Sequence, residues 1–243
     1  MLSLPVSYVT NMSMLRSRPG GLIPVLAVLA LLLGPRLASA QPDGDRHVWL
    51  QAVAVLRVSE HWRVHLEEQS RWFDDGSAPF QNLLRGAVGR QVVPRISLWA
   101  GYGWVAKPPG PGVKHEHRAW QQFLATPPAV GRWTSQLRVR QEQRWQPDWD
   151  GTSHRVRVLV RTARPLGASA WSAVLWDEAM VTFNATGDGP PKGFDQNRLF
   201  GGVSRRVSPH ATVDAGYMWF AVRQPSGQRS DGHVALTALN LTF

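Results

Sequence analysis

Hydrophobic and polar residues alternate one by one along most of the chain after residue 46. Between 152 and 164, for example, Val156 and Val158 alternate with Arg155 and Arg157. Successive side chains of a β-strand point to opposite faces of the sheet, so a period of two is the strand period. No stretch after residue 46 supports a helical period of 3.6 comparably well, so the pattern predicts an all-β fold.

The alternation divides into eleven candidate strands, separated by residues that favour turns. These segments are 47–57, 61–73, 81–91, 95–106, 114–126, 132–146, 152–164, 170–183, 194–207, 211–223 and 231–243. Short connections (59–60, 93–94, 127–131, 166–169 and 208–210) alternate with longer ones (74–80, 107–113, 147–151, 184–193 and 224–230). Short turns on one side and longer loops on the other are typical of antiparallel, up-and-down transmembrane β-barrels. Bacterial single-chain barrels have an even number of strands, so we expect ten or twelve, with one segment missed or misread.

The first 40 residues have the composition of a targeting segment. Arg16 and Arg18 precede an apolar run at 22–33, and Ala38-Ser39-Ala40 fits a small-x-small cleavage site. An apolar run of this length is too short to span a bilayer as a helix, which needs about 20 residues. We therefore predict a signal peptide at 1–40 and one exported domain at 41–243, with an N-terminal anchor helix as the alternative.

The predicted exported domain is basic and contains no Cys. Residues 1–40 hold three arginines and no acids, so their removal lowers the formal charge from +10 to +7. A basic chain can bind nucleic acid. Export takes this chain away from nucleic acid, however, and its arginines are spread along predicted strands instead of clustering in one helix or tail. We therefore expect no nucleic-acid partner.

All twelve tryptophans lie after residue 40, and many fall at the ends of predicted strands. Those at strand ends are Trp62, Trp72, Trp104, Trp133, Trp145, Trp171 and Trp219. Amphipathic rings favour the membrane–water interface, and membrane barrels carry aromatic girdles at both rims. The alternative, a tryptophan-filled core of a soluble sandwich, would place the rings in the middle of the strands. The positions therefore favour a barrel in contact with outer-membrane lipid.

The last predicted strand ends on an aromatic carboxy-terminus. Leu239, Leu241 and Phe243 continue the alternation to the final residue. This arrangement resembles the carboxy-terminal assembly signal of outer-membrane barrels. The barrel-assembly machinery of a Gram-negative bacterium is therefore the expected partner of this strand.

The polar faces of the predicted strands carry many charges. In a membrane barrel the apolar faces meet lipid and the other faces line the interior. The predicted interior set is Arg63, Glu67, Arg71, Arg85, Glu116, Arg118, Arg138, Arg140, Glu142, Arg144, Arg155, Arg157, Arg161, Glu178 and Arg198. Two interpretations remain open: an ion-paired network that supports the wall, or an arginine-lined pore that favours anions. Glu68 and Asp177 fall on the predicted outer face and weaken the pattern there.

Short motifs along nearly the whole exported part resemble those of an uncharacterised bacterial family, domain of unknown function 2490. They are V-W-L-Q at 48–51, E-E-Q-S-R-W at 67–72, E-H-R-A-W-Q-Q at 116–122, L-R-V-R-Q-E-Q-R at 137–144, W-D-E at 176–178, F-D-Q-N-R at 194–198 and D-A-G-Y-M at 214–218. The resemblance depends on the order of these motifs, because each is short and degenerate. It implies an outer-membrane barrel without an assigned activity, and it supplies no catalytic residues.

Candidate catalytic and metal-binding groups are few. Ser208 and His210 are close in sequence, but they flank a proline in a turn, where turn geometry explains both residues. His115 and His117 lie on one strand face, but no third metal ligand is evident. We therefore predict no catalytic residues, no metal and no cofactor.

The predicted function is that of an outer-membrane barrel, either structural or forming a narrow arginine-lined pore. A lipid-modifying enzyme of the outer membrane and a soluble periplasmic β-sandwich that binds a ligand are the alternatives. No nucleophile supports the enzyme.

Overall fold

The computed structural model describes residues 45–107, 114–187, 189–224 and 226–243. The signal peptide predicted at 1–40 lies outside these residues. In the described chain the regular elements are all β-strands, and no helix is long and apolar enough to cross a membrane. The strands are β1 (Asp45–Arg57), β2 (Trp62–Phe73), β3 (Ala78–Val93), β4 (Ile96–Lys107), β5 (Lys114–Ala125), β6 (Thr134–Trp145), β7 (Ser153–Pro165), β8 (Trp171–Thr182), β9 (Gly193–Ser208), β10 (Ala211–Arg223) and β11 (Arg229–Thr242).

The strands form one closed barrel in which each strand pairs with its neighbours in sequence. Ten pairs are antiparallel, and β1 closes the barrel by pairing in parallel with β11, from Asp45–Gly232 to Val55–Thr242. The parallel seam follows from the number of strands, because in an odd-numbered meander the first and last strands run in the same direction. The predicted all-β barrel is confirmed and the eleven counted segments are its strands, but the expectation of an even number is wrong.

The two ends of the barrel differ in their connections. We call turn end the side that holds Phe243 and the connections 58–61, 94–95, 126–133, 166–170 and 209–210. The loop end holds Asp45 and the connections 74–77, 108–113, 146–152, 183–192 and 224–228. The predicted contrast in length is weaker than expected, since 126–133 is long for the turn end and 74–77 is short for the loop end.

The outer face of the barrel is largely apolar. Val88, Val160 and Leu175 project outward from three different strands and keep about half of their surface exposed (50%, 49% and 53%). Folded soluble proteins rarely expose large contiguous apolar patches. Apolar side chains therefore cover much of the outside of this barrel.

Seven tryptophans project from the outer face near its two ends. Trp62, Trp133 and Trp171 lie at the turn end and are 40–46% exposed. The other four lie near the loop end: Trp72, Trp104, Trp145 and Trp219. These seven are the tryptophans that the sequence predicts for the girdles. Four more, Trp49, Trp99, Trp120 and Trp176, face the interior instead.

The interior has two chemically distinct sectors. Strands β8 to β11 together with β1 contribute an apolar cluster, of which Phe200 and Met218 are fully buried members. Strands β2, β3 and β5 to β9 contribute most of the charged side chains. The inner faces of β10 and β11, from which the predicted interior set takes no residue, carry one charged side chain in these fully described strands, Asp214.

Inward-facing glycines make room for the interior tryptophans. A Cβ placed on Gly89 would overlap the indole of Trp99, and one on Gly101 would contact the ring of Trp120. Gly201 points outward into open space. The substitution Gly89→Ala is therefore expected to lower the free energy of unfolding by about 1–3 kcal/mol, the usual cost of overpacking. Urea unfolding followed by fluorescence measures this, and an equal effect of the control Gly201→Ala would contradict the packing explanation.

Candidate functional site

Ion pairs between carboxylates and basic side chains close the loop-end half of the interior. Glu116 accepts hydrogen bonds from Arg118 (2.8 Å) and Arg144 (2.6 Å). Lys107 lies 3.0 Å from the other oxygen of the same carboxylate. Carboxylate and guanidinium groups that are buried together need such partners, because an unpaired buried charge costs several kcal/mol. This part of the interior is packed by its own charges.

Further bonds extend the network around the wall. Arg157 on β7 donates to Glu142 on β6 and to Glu178 on β8, both at 2.8 Å. Arg155 reaches Asp195, two strands away on β9, at 2.7 Å. Side chains of strands that are not neighbours can meet in this way only inside the barrel. The network therefore ties separate parts of the wall together across the interior.

Glu178 is surrounded by three arginines. It accepts a hydrogen bond from Arg138 at 2.6 Å in addition to those from Arg157, and Arg198 lies 3.6 Å away. Glu178 thus offsets three arginines from three strands. On the other side of the barrel, Glu67 pairs with Arg85 at 2.5 Å.

The structure places the predicted interior residues on the inner face. Arg63 shares this face by alternation with Glu67, and the others are buried or line the central cavity. Those with a partner of opposite charge are Glu67, Arg85, Glu116, Arg118, Arg138, Glu142, Arg144, Arg155, Arg157, Arg161, Glu178 and Arg198. Among the described residues, Arg63, Arg71 and Arg140 have no such partner.

The sequence prediction missed three charged members of the interior. Asp195 follows Phe194, and strict alternation with Arg198 would turn its side chain outward. A β-bulge at this point, where Met180 pairs with Gln196 and Val181 with Phe194, turns Asp195 inward. Asp214, which pairs with Arg161 at 3.2 Å, lies on a strand with two apolar faces, and Lys107 ends a strand without other charges.

A cavity of about 310 Å³ occupies the interior towards the turn end. Its walls include seven arginines and three carboxylates: Arg71, Arg85, Arg138, Arg140, Arg157, Arg161, Arg198, Glu67, Glu178 and Asp214. Solvent reaches it from the turn end, since the inward-facing side chain of Arg161 is 31% exposed, whereas that of Glu142 is 0% exposed. The cavity therefore carries an excess of positive charge and is closed towards the loop end.

The candidate chemical groups of the outer surface have structural partners. His115 stacks on Trp104 (ring centroids 5.1 Å apart), and His117 stacks on Trp145 and is hydrogen-bonded to the Tyr102 hydroxyl. In the described chain, no three His, Cys, Asp or Glu residues are grouped so that they could hold a metal ion. The two histidines thus belong to an aromatic cluster near the loop end.

The Ser208–His210 turn does not assemble a nucleophile and a base. The backbone N–H of His210 donates to Ser208 Oγ at 3.2 Å. The imidazole Nδ1 lies 3.0 Å from the carbonyl oxygen of Thr242, and the ring stacks on Phe243. These contacts attach the turn to the last strand.

The two outward carboxylates have local polar partners. Glu68 Oε1 accepts a hydrogen bond from Ser70 Oγ at 2.6 Å, and neighbouring side chains cover the glutamate completely. Asp177 accepts a hydrogen bond from Asn197 Nδ2 at 3.1 Å. Both acids lie on the outer face, as the alternation predicts.

The same contact, an arginine over a tryptophan ring, occurs three times at the turn end of the outer face. The guanidinium groups of Arg90, Arg164 and Arg205 lie over the rings of Trp62, Trp133 and Trp171, with distances of 5.7, 5.6 and 5.3 Å to the ring centroids. We call these six residues the arginine–tryptophan collar. Around it lie Arg57, Arg95, Arg132 and Arg206, and Glu60 is the only acid in the fully described connections of the turn end.

The fold and the site define a class of protein: a closed β-barrel with an apolar exterior and an ion-paired, arginine-rich interior. A protein-family model described as "Protein of unknown function (DUF2490)" matches residues 46–231. The chain belongs to this family. It is also similar to an uncharacterized protein of Methylorubrum extorquens (strain AM1), with 32% identity over 220 residues that cover 87% of this chain and 94% of the relative.

Proposed function

We propose that this protein is an integral β-barrel of the bacterial outer membrane with a lumen closed to ions. The observation that carries the proposal is the inversion of polarity between the two faces. The arginine–glutamate network lies inside the wall, while valine, leucine and tyrosine side chains are exposed outside. In a bilayer these apolar side chains meet lipid, and a closed barrel leaves no unpaired strand edge in the hydrocarbon.

The arginine–tryptophan collar supports an orientation with the turn end at the periplasmic side. Tryptophan rings favour the level of the lipid headgroups, and arginines beside them attract anionic phosphates. Short turns are periplasmic in outer-membrane barrels, whereas longer loops are extracellular. The proposed orientation also brings Phe243 to the periplasm, where the barrel-assembly machinery would bind the last strand.

Between the two interpretations of the interior, the geometry favours the ion-paired network over an open pore. The carboxylates of Glu116 and Glu142 are completely buried: Glu116 bridges cations from β4, β5 and β6, and Glu142 binds two arginines of β7. A conducting pore needs a continuous aqueous path through this level.

The closed lumen has a direct electrical test. We expect the full-length barrel, purified, folded and inserted into planar bilayers, to produce no stepwise ion conductance at neutral pH. The ion pairs at the level of Glu142 leave no path for hydrated ions. Stepwise conductance with a preference for anions would contradict the closed lumen and support the arginine-lined pore.

The β-sandwich alternative is wrong, because the sheet closes on itself through the β1–β11 pair and does not form two packed layers. Release of the protein with the soluble periplasmic fraction would nevertheless overturn the proposed membrane location. Retention in the outer-membrane fraction after extraction with alkaline carbonate is the result that we expect.

A further inference from the structure

Two arginines of the central cavity differ from the other five there because they are held by glutamines instead of carboxylates. Arg71 donates to Gln69 Oε1 from Nε (2.9 Å) and to Gln81 Oε1 from Nη1 (2.7 Å). Arg140 donates to Gln122 Oε1 from Nε and Nη2, at 2.9 and 2.7 Å. A neutral amide orients a guanidinium without neutralising it. The two arginines are thus positioned without a carboxylate in ion-pair contact among the described residues.

Each of these arginines also lies on a tryptophan ring. The Cζ atom of Arg71 is 3.9 Å from the ring centroid of Trp49, and that of Arg140 is 4.0 Å from the ring centroid of Trp120. A guanidinium can stack one face on an aromatic ring while its N–H groups remain directed at its edges. Ring and amides together hold each guanidinium in one orientation, and one donor, Nη1 of Arg140, has no hydrogen-bond partner among the described residues.

Both arginines are almost fully buried and line the same cavity. Arg140 is 2% exposed and Arg71 is 7% exposed. Burying an unpaired charge is expensive, whereas an apolar or amide side chain would avoid this cost. A bound anion would offset both charges, and the cavity of about 310 Å³ is within the size range of small-ligand sites.

We propose that this cavity binds a phosphomonoester that carries an apolar or aromatic body. A phosphomonoester has a charge of about −1.5 to −2 at pH 7, which matches two guanidiniums without a carboxylate in contact better than a single carboxylate does. Guanidinium forks bind phosphate oxygens in a bidentate manner. Trp99, Trp176 and Leu236, which also line the cavity, provide contacts for the body of the ligand. The site depends on the interior alone and not on the proposed membrane location.

Titration calorimetry of the purified, folded full chain with phenyl phosphate at low salt tests the site. We expect saturable binding, and we expect Arg71→Gln and Arg140→Gln each to weaken it about tenfold or more, as the loss of about 1.4 kcal/mol or more implies. Arg90→Gln, which removes an arginine from the outer collar, is the matched control and should leave the affinity unchanged. Absence of saturable binding to the unmodified chain would overturn the proposal, as would wild-type affinity in both interior variants.

Two further arms use the unmodified chain and so do not depend on how the variants fold. Sulfate, a dianion of similar shape, should compete with phenyl phosphate, whereas failure to compete would contradict recognition of the charged group. Dodecyl phosphate in micelles represents a lipid-borne phosphate. Tighter binding of dodecyl phosphate would assign the site to a lipid headgroup, and tighter binding of phenyl phosphate would assign it to a soluble phosphomonoester; either order supports the site.

Discussion

The substitution Glu178→Gln is expected to lower the free energy of unfolding by about 3–5 kcal/mol, the usual cost of breaking a buried ion pair. Glutamine keeps the shape of the side chain but removes the charge that offsets Arg138, Arg157 and Arg198. Glu178 is 2% exposed, so water cannot replace the missing charge. Urea titration of the folded barrel in detergent, followed by tryptophan fluorescence, measures the change.

Two controls separate the network from a general effect of changing a glutamate. Glu60→Gln makes the same chemical change on an exposed residue of the turn end and should shift the free energy of unfolding by less than about 0.5 kcal/mol. Adding Arg138→Gln to Glu178→Gln should restore part of the loss, because the double variant leaves one fewer unpaired charge. Equal effects of Glu178→Gln and Glu60→Gln would show that the ion pairs contribute nothing to stability.

The second large effect concerns the outer face. Val158 projects outward from the middle of β7 and pairs with Val139 and Ala179 on the neighbouring strands. If this level lies at the centre of a bilayer, Val158→Arg should destabilise the barrel by about 2–4 kcal/mol, because a cation is costly there. Unfolding of the protein from lipid vesicles measures the difference from the unmodified chain.

The control for this prediction is Val130→Arg in the connection 126–133 of the turn end, where the valine is 78% exposed. This position lies beyond the proposed hydrocarbon region, so we expect a change of less than about 0.5 kcal/mol. In a soluble barrel both substitutions would fall within that small range. A negligible effect of Val158→Arg in vesicles would therefore count directly against the membrane location.

Much of the barrel wall could be predicted from the sequence because apolar and charged residues alternate along a strand that has one apolar and one charged face. In β6, Leu137 and Val139 point outward while Arg138 and Arg140 point inward, as the alternation indicates. The same alternation does not show whether a barrel closes with an even or an odd number of strands. It depends on how the sheet closes, and the parallel pairing of β1 with β11 is a contact between the two ends of the domain.

The sequence indicates which charged residues line the interior, but it does not indicate which of them pair with each other. Alternation cannot show that Arg157 bridges Glu142 and Glu178 while Arg140 receives only an amide, since this depends on the relative register of neighbouring strands. Asp195 was missed because a β-bulge breaks the period of two at that residue. The four interior tryptophans were missed as a group because the strand-end tryptophans dominate the pattern.

The membrane placement of the apolar outer face can be tested most directly with single spin labels in lipid vesicles. The chain has no Cys, so each label is unique. Labels at Val158→Cys and Val160→Cys should be accessible to oxygen, which dissolves in lipid, and protected from a water-soluble nickel chelate. A label at Gln136→Cys, which lines the cavity near the turn end, should show the opposite preference. Ready access of the nickel chelate to the labels at 158 and 160 would contradict a barrel embedded in the membrane.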